Sequence, residues 1–296
     1  MADLIARLFP WYDNEHGARR AEQVIQGARG TPRFFEAKNQ PEPEECSSRE
    51  TTASLEDYQT RDDSNSFNEI DSIALTFSDP TFKNSQGIMF GWNSDACDIV
   101  VPHLKGISGE HCYITFDHKR RLIVEDKSRN GTIVTYDNLG GINKKKFRWI
   151  VGGDCFLHRF VKVIVIQIHV EVKFRIVVPE HDPDRVDDFL ARLRELPGLP
   201  FGRAGIQDGP NIMANRDLVS GAASSSLPVG PVTTMDSILV RRKVLARGAS
   251  AHVSHVWDVS NGAQYASKVF VNTAKFNWRG EIERMRRLSH VSGFGV

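Results

Sequence analysis

Between residues 72 and 178 the chain breaks into short runs rich in Ile, Val and Phe, divided by Gly, Asn, Asp and Pro. The runs are Ser72–Phe77, Gly87–Phe90, Asp98–Val101, His111–Phe116, Arg121–Glu125, Thr132–Tyr136, Asp154–Leu157 and Val161–Val170. β-Branched and aromatic residues suit a pleated, half-buried surface, and many short strands at this spacing predict a sandwich or barrel. The longer stretch Val161–Val178 mixes apolar and polar positions and predicts one or two terminal strands. The fold class is mainly β.

The flanks read differently. Residues 1–36 predict a short helical segment, because Leu4, Ile5 and Leu8 share a helix face and Pro10 stops it. Arg19–Gly27 predicts a second helix. Residues 37–71 are rich in Glu, Asp, Ser, Thr and Gln, bury too little apolar surface to order themselves, and predict disorder. Within 179–197, Val186, Phe189, Leu190 and Leu193 fall on one face of an amphipathic helix that Pro197-Gly198 ends. Residues 198–235 have the Gly, Ser, Ala and Pro content of a flexible linker, and 236–296 predict two or three strands followed by a helix.

Composition excludes several classes. Lys and Arg number 38 against 37 Asp and Glu, so no global basic field points to nucleic acid. Cys46, Cys97, Cys112 and Cys155 form neither a C-x-x-C pair nor a zinc spacing. They predict buried free thiols in a reducing compartment. The N-terminus lacks the long apolar core of a signal peptide. The most apolar run, Phe160–Ile168, contains Lys162 and is too short to cross a bilayer. The expectation is a soluble intracellular protein, cytoplasmic or nuclear, with no membrane and no nucleic-acid partner.

Three pieces of the β region carry chemistry. They are Phe90-Gly91-Trp92-Asn93, Ile107-Ser108-Gly109-Glu110-His111 and Asp126-Lys127-Ser128-Arg129-Asn130-Gly131-Thr132. Each alone has a structural explanation. Asn130-Gly131 suits a hairpin turn, His111 suits a hydrogen-bonded core histidine, and Gly91 suits a tight turn. In this order and spacing the three resemble the forkhead-associated (FHA) domain, a β-sandwich whose end loops bind phosphothreonine. A phosphothreonine dianion needs several convergent donors and preferably a cation. The resemblance implies that the Ser108 hydroxyl contacts phosphate and that Asn130 aligns the bound peptide backbone. Arg129 and Lys105 are the candidate cations. Gly91, His111, Gly131 and Thr132 take structural roles. One position departs from the family. The phosphate-binding arginine after the first glycine is Trp92 here, which forfeits a charge-assisted contact of roughly 1.5–3 kcal/mol, about ten- to a hundredfold in affinity.

The C-terminal segment has its own pattern. Leu245-Ala246-Arg247-Gly248-Ala249-Ser250-Ala251-His252-Val253 precedes Ala266-Ser267-Lys268 and then Glu281-Ile282-Glu283-Arg284-Met285. It resembles the start of a eukaryotic protein kinase N-lobe: a glycine-rich loop, the lysine of the third strand and the helix glutamate that pairs with it. Gly248, Val253, Ala266, Lys268 and Glu281 are then the implied ATP contacts, with Lys268 on the α and β phosphates. Only the middle loop glycine is present, Ala246 and Ala251 replacing the others. No H-R-D or D-F-G motif occurs in the 296 residues, so a catalytic base and an Mg2+ site belong only to a full-length kinase. The whole arrangement is similar to fungal kinases that pair an FHA domain with a Ser/Thr kinase domain, here in truncated form. Two readings stand. One is the phosphothreonine-binding module of a Ser/Thr kinase, recruiting phosphothreonine-containing proteins. The other is a non-catalytic adaptor or degenerate pseudokinase fragment that binds a protein partner.

Overall fold

The computed structural model describes residues 3–12, 15–37, 70–196, 237–248 and 251–271, together with Gly280 and Glu283. Most of the stretch read as disordered, all of the linker, Cys46 and Glu281 lie outside the described residues. The chain divides into two units. The first is Met1–Leu196 with Ile238–Val240 and Asp258–Ala263.

The first unit holds two sheets. One has six strands, β1 (Leu4–Pro10), β2 (Phe34–Phe35), β3 (Ser72–Thr76), β8 (Ile133–Tyr136), β10 (Ile164–His169) and β11 (Val172–Val177), in the order β2-β3-β1-β11-β10-β8. The other has five, β4 (Ile88–Gly91), β5 (Ile99–Val100), β6 (Cys112–Phe116), β7 (Leu122–Asp126) and β9 (Arg148–Gly152), in the order β5-β4-β6-β7-β9. All pairings in the second sheet are antiparallel except β4 with β5. Phe90 of β4 meets Phe174 of β11 at 6.5 Å between ring centroids, and the Tyr136 hydroxyl donates to the Ile150 carbonyl at 2.8 Å. These contacts join the two sheets as the layers of a sandwich.

Two expectations need correction. Leu4–Pro10 is a strand, not a helix. It lies between β3 and β11, with Leu8 opposite both Ile73 and Ile176. Ile5, Ala6, Leu8 and Phe9 are all buried, because a central strand covered on both faces needs apolar residues on both. The helix α1 (Glu15–Gly27) packs on β1 and β11 through Ala21, Val24 and Ile25. The sandwich therefore begins well before residue 72. Second, Asp154–Leu157 is not a strand. Asp154 caps a short helix α2 (Cys155–Phe160), accepting the Phe156 amide at 2.8 Å. This leaves Cys155 exposed, while Cys97 and Cys112 are buried thiols as expected. Arg148–Gly152 forms a further strand outside the predicted runs.

An N-terminal residue also knits the unit together. Arg33, 8% exposed, pairs through Nε with Asp79 at 2.6 Å and through Nη2 with Asp98 at 3.2 Å. Asp98 also accepts the amides of Met89 at 2.8 Å and Lys83 at 3.0 Å. The helix α3 (Pro183–Glu195) is capped by Asp182 and buries Val186, Phe189 and Leu193. Phe189 stands edge-on to Phe77, Phe82 and Phe116. Each fully buried side chain of this size contributes roughly 1.5–3 kcal/mol.

The second unit, which includes Arg241–Trp257 and Gln264–Val296, holds most of a three-stranded sheet in the order β12 (Leu239–Arg247), β13 (Ala251–Asp258) and β14 (Gln264–Phe270). Its strands β13 and β14 form a hairpin, with Val253 opposite Lys268 and His255 opposite Ala266. Among the described residues no helix is long and apolar enough to cross a membrane, and no cluster of three metal-ligating side chains occurs.

Candidate phosphopeptide site

The loops after β4, β5 and β7 form the site, and their approach begins at a glycine. A Cβ on Gly91 would lie 1.9 Å from the Gly109 carbonyl oxygen and 2.6 Å from its carbon. Backbone bonds exploit that closeness. Trp92 N–H donates to the Ser108 carbonyl at 3.4 Å, Asn93 N–H to the Gly109 carbonyl at 3.1 Å, and His111 N–H to the Phe90 carbonyl at 2.7 Å. The Cys97 thiol adds a bond to Gly109 O at 2.9 Å. The segment Ser108–His111 is thus laid along the end of β4.

His111 fixes this segment from inside. It is fully buried, and its Nδ1 accepts the Ser108 amide at 3.2 Å. Burial lowers the imidazole pKa, outweighing the nearby Asp126 carboxylate, so the ring is neutral and can accept that bond. On the outer side the Ser108 Oγ accepts the Arg129 amide at 3.1 Å, which ties the second loop to the third.

The third loop hangs on Asp126. Its Oδ1 accepts the hydroxyls of Ser128 and Thr132, each at 2.7 Å, and its Oδ2 accepts the Lys146 amide at 2.9 Å. Ser128 Oγ in turn accepts the Gly131 amide at 2.6 Å. The turn needs glycine at 131, where φ is +93° and a Cβ would lie 2.0 Å from Asn143 Oδ1. Asn143 Nδ2 donates to the Asn130 carbonyl at 3.0 Å, so it braces the turn from beneath. Asn130 donates its own amide to the Gly106 carbonyl at 2.9 Å.

The structure thus brings Ser108, Arg129 and Asn130 together, with Lys105 on the loop that Asn130 holds. Arg129 and Lys105 are exposed. Lys127 is engaged instead by Glu110 and Gln86. Sequence reasoning gave no role to Asp126, Asn143 or His103. Asp126 heads the third motif, which is a readable signal for a loop anchor, whereas Asn143 has no local signature. Trp92 occupies the rim, 40% exposed, with its ring 4.5 Å from His103.

Of the candidate nucleotide residues, Val253 and Lys268 are register partners, and Ala266 stands opposite His255 on the same hairpin. Gly248 N–H donates to Ala251 O at 2.8 Å. A Cβ there would make only an ordinary 3.5 Å contact, so the local backbone does not require glycine. Glu281 falls outside the described residues.

Residues 88–147 match the family model of the FHA domain. The match spans β4 to the loop before β9 and includes every residue of the Ser108–Asn130 site. Solved structures match as well, among them one titled "Crystal structure of Rad53 1-466 in complex with AMP-PNP". That likeness has a TM-score of 0.33 at 18% identity and covers 70% of this chain. The chain spans 40% of the length of that structure. No curated protein matches. The matched residues lie within the two-sheet unit, to which β1, β3, β10 and β11 also belong.

Proposed function

We propose that the FHA module binds phosphothreonine peptides at the loop cluster of Ser108, Arg129 and Asn130. The bond from Arg129 N–H to Ser108 Oγ carries this reading. It occupies an oxygen lone pair and leaves the hydroxyl hydrogen for an acceptor arriving from outside. A phosphate oxygen is such an acceptor, and exposed Arg129 and Lys105 supply positive charge beside it. FHA domains bind phosphothreonine-containing proteins, which agrees with this chemistry. The partners would be proteins phosphorylated on threonine.

Ser108→Ala is expected to weaken phosphothreonine-peptide binding about tenfold or more, the worth of one hydrogen bond to a charged group. The measurement is a titration with a peptide and its unphosphorylated twin. Equal affinities for the twins, or no effect of Ser108→Ala, sink the assignment.

For the second unit we propose the beginning of a protein-kinase N-lobe, with Lys268 directed to ATP phosphates. Support comes from the Val253–Lys268 pairing and from a glycine at 248 that the local fold does not need. In the longest expressed form of the protein, Lys268→Met should weaken binding of a fluorescent ATP analogue at least tenfold. Unchanged binding removes Lys268 from such a site, and no binding at all favours the adaptor reading.

A further inference from the structure

Trp92 is the FHA residue that sequence logic explains least. It replaces a phosphate-binding cation with an indole, and it leaves that indole 40% exposed. A large aromatic side chain left at the surface forgoes burial worth roughly 1.5–3 kcal/mol. The side chain is nevertheless held in place on several sides. Its backbone amide is bonded to the Ser108 carbonyl. Its six-membered ring lies over Gly109, 3.6–3.7 Å from where a Cβ would stand. Its other neighbour is the exposed His103 ring at 4.5 Å, tilted by 55°. Val100, also exposed at 45%, is the register partner of Gly91 next in the chain. Trp92 and His103 thus form a small aromatic surface that meets the Ser108 loop at Gly109.

We propose that Trp92 and His103 form a shelf that selects an aromatic or large aliphatic side chain beside the phosphothreonine. The inference rests on the phosphothreonine reading of the Ser108 loop. The occupant follows from two facts. The shelf adjoins that loop, so a peptide whose phosphate meets Ser108 passes over it. A rigid indole also offers wide contact area with only two side-chain torsions to fix, which is why tryptophan is prominent among residues that dominate peptide and protein interfaces. Without a guanidinium at position 92 the phosphate contributes less, and apolar contact on the shelf supplies the remainder. Trp92 and His103 are then specificity-determining residues, distinct from the donors that hold the phosphate.

The test is a positional library of phosphothreonine peptides, titrated against the full chain and its Trp92→Ala, Trp92→Arg and Ser108→Ala variants. Thermal melts confirm folding, which the exposure of Trp92 favours. At one position beside the phosphothreonine, Phe, Trp or Leu should bind at least tenfold more tightly than Ala. Trp92→Ala should erase that preference while keeping the dependence on phosphate and on Ser108. Trp92→Arg should erase it too and raise affinity for all phosphorylated members. A library profile that neither Trp92 variant alters overturns the shelf. Binding that ignores phosphate and Ser108→Ala overturns the phosphothreonine reading instead, so the two failures are told apart.

Discussion

Arg33→Ala lowers the stability of the two-sheet unit by about 3–5 kcal/mol, read as a shift in the urea midpoint. The size follows from what the change leaves behind. Asp79 and Asp98 are 3% and 8% exposed and would each lose a cation at ion-pair distance. Burial already raises the Asp98 pKa, and Arg33 is one of the groups that hold it down. The two carboxylates also repel one another once the guanidinium is gone. Domains of this kind have roughly 5–15 kcal/mol in total, so a large part of the margin disappears. Arg29→Ala is the control. Its ion pair with Glu36 is 61% and 70% exposed, and such pairs contribute about 0–1 kcal/mol. Equal effects of the two substitutions would falsify the network as the cause.

Gly91→Ala is expected to cost both stability and peptide binding, with at least about 2–3 kcal/mol lost from the fold. The methyl group would meet the backbone of Gly109, which cannot swing aside as a flexible side chain does. Relief requires the Ser108–His111 segment to move off the end of β4. That movement breaks the bonds from Trp92, Asn93 and His111 across the gap and carries Ser108 away from Arg129. Gly109→Ala meets only 3.6–3.7 Å contacts and should leave stability nearly unchanged. Urea melts paired with phosphopeptide titration check both. A Gly91→Ala protein that melts and binds like the parent contradicts the close approach.

What could be read from the sequence was mostly local. Cys112–Phe116 is a strand because β-branched and aromatic residues follow one another, and that property needs no partner to be visible. Gly91 ends β4, and Ser108 and Asn130 fall in loops between strands, because turn chemistry is also written in adjacent residues. Failures came where distant partners decide. Leu4, Ile5 and Leu8 match a helical period, yet β3 and β11, which lie far along the chain, make this segment a central strand. Arg33 sits in an unremarkable Thr31-Pro32-Arg33-Phe34 stretch, and its partners are 46 and 65 residues downstream. Asp154 looked like part of a strand because Phe156 and Leu157 are apolar, but its carboxylate captures an amide two residues on and starts a helix. The bond from Asn143 to the Asn130 carbonyl follows from loop closure, which no short window reveals.

The position of β1 has a consequence for biosynthesis. Leu4–Pro10 is made well before β11, yet Phe9 is paired with Arg175 in the finished sheet. At translation rates of about 5–20 residues per second, this strand waits on the order of 10–30 s for β11. During that interval its apolar residues have neither of their long-range neighbours across β11 nor a closed sandwich to enter. Growing chains are therefore the stage at which this strand is most open to capture by chaperones or by neighbouring nascent chains. Slower elongation before residue 172 would prolong that exposure without altering the folded product.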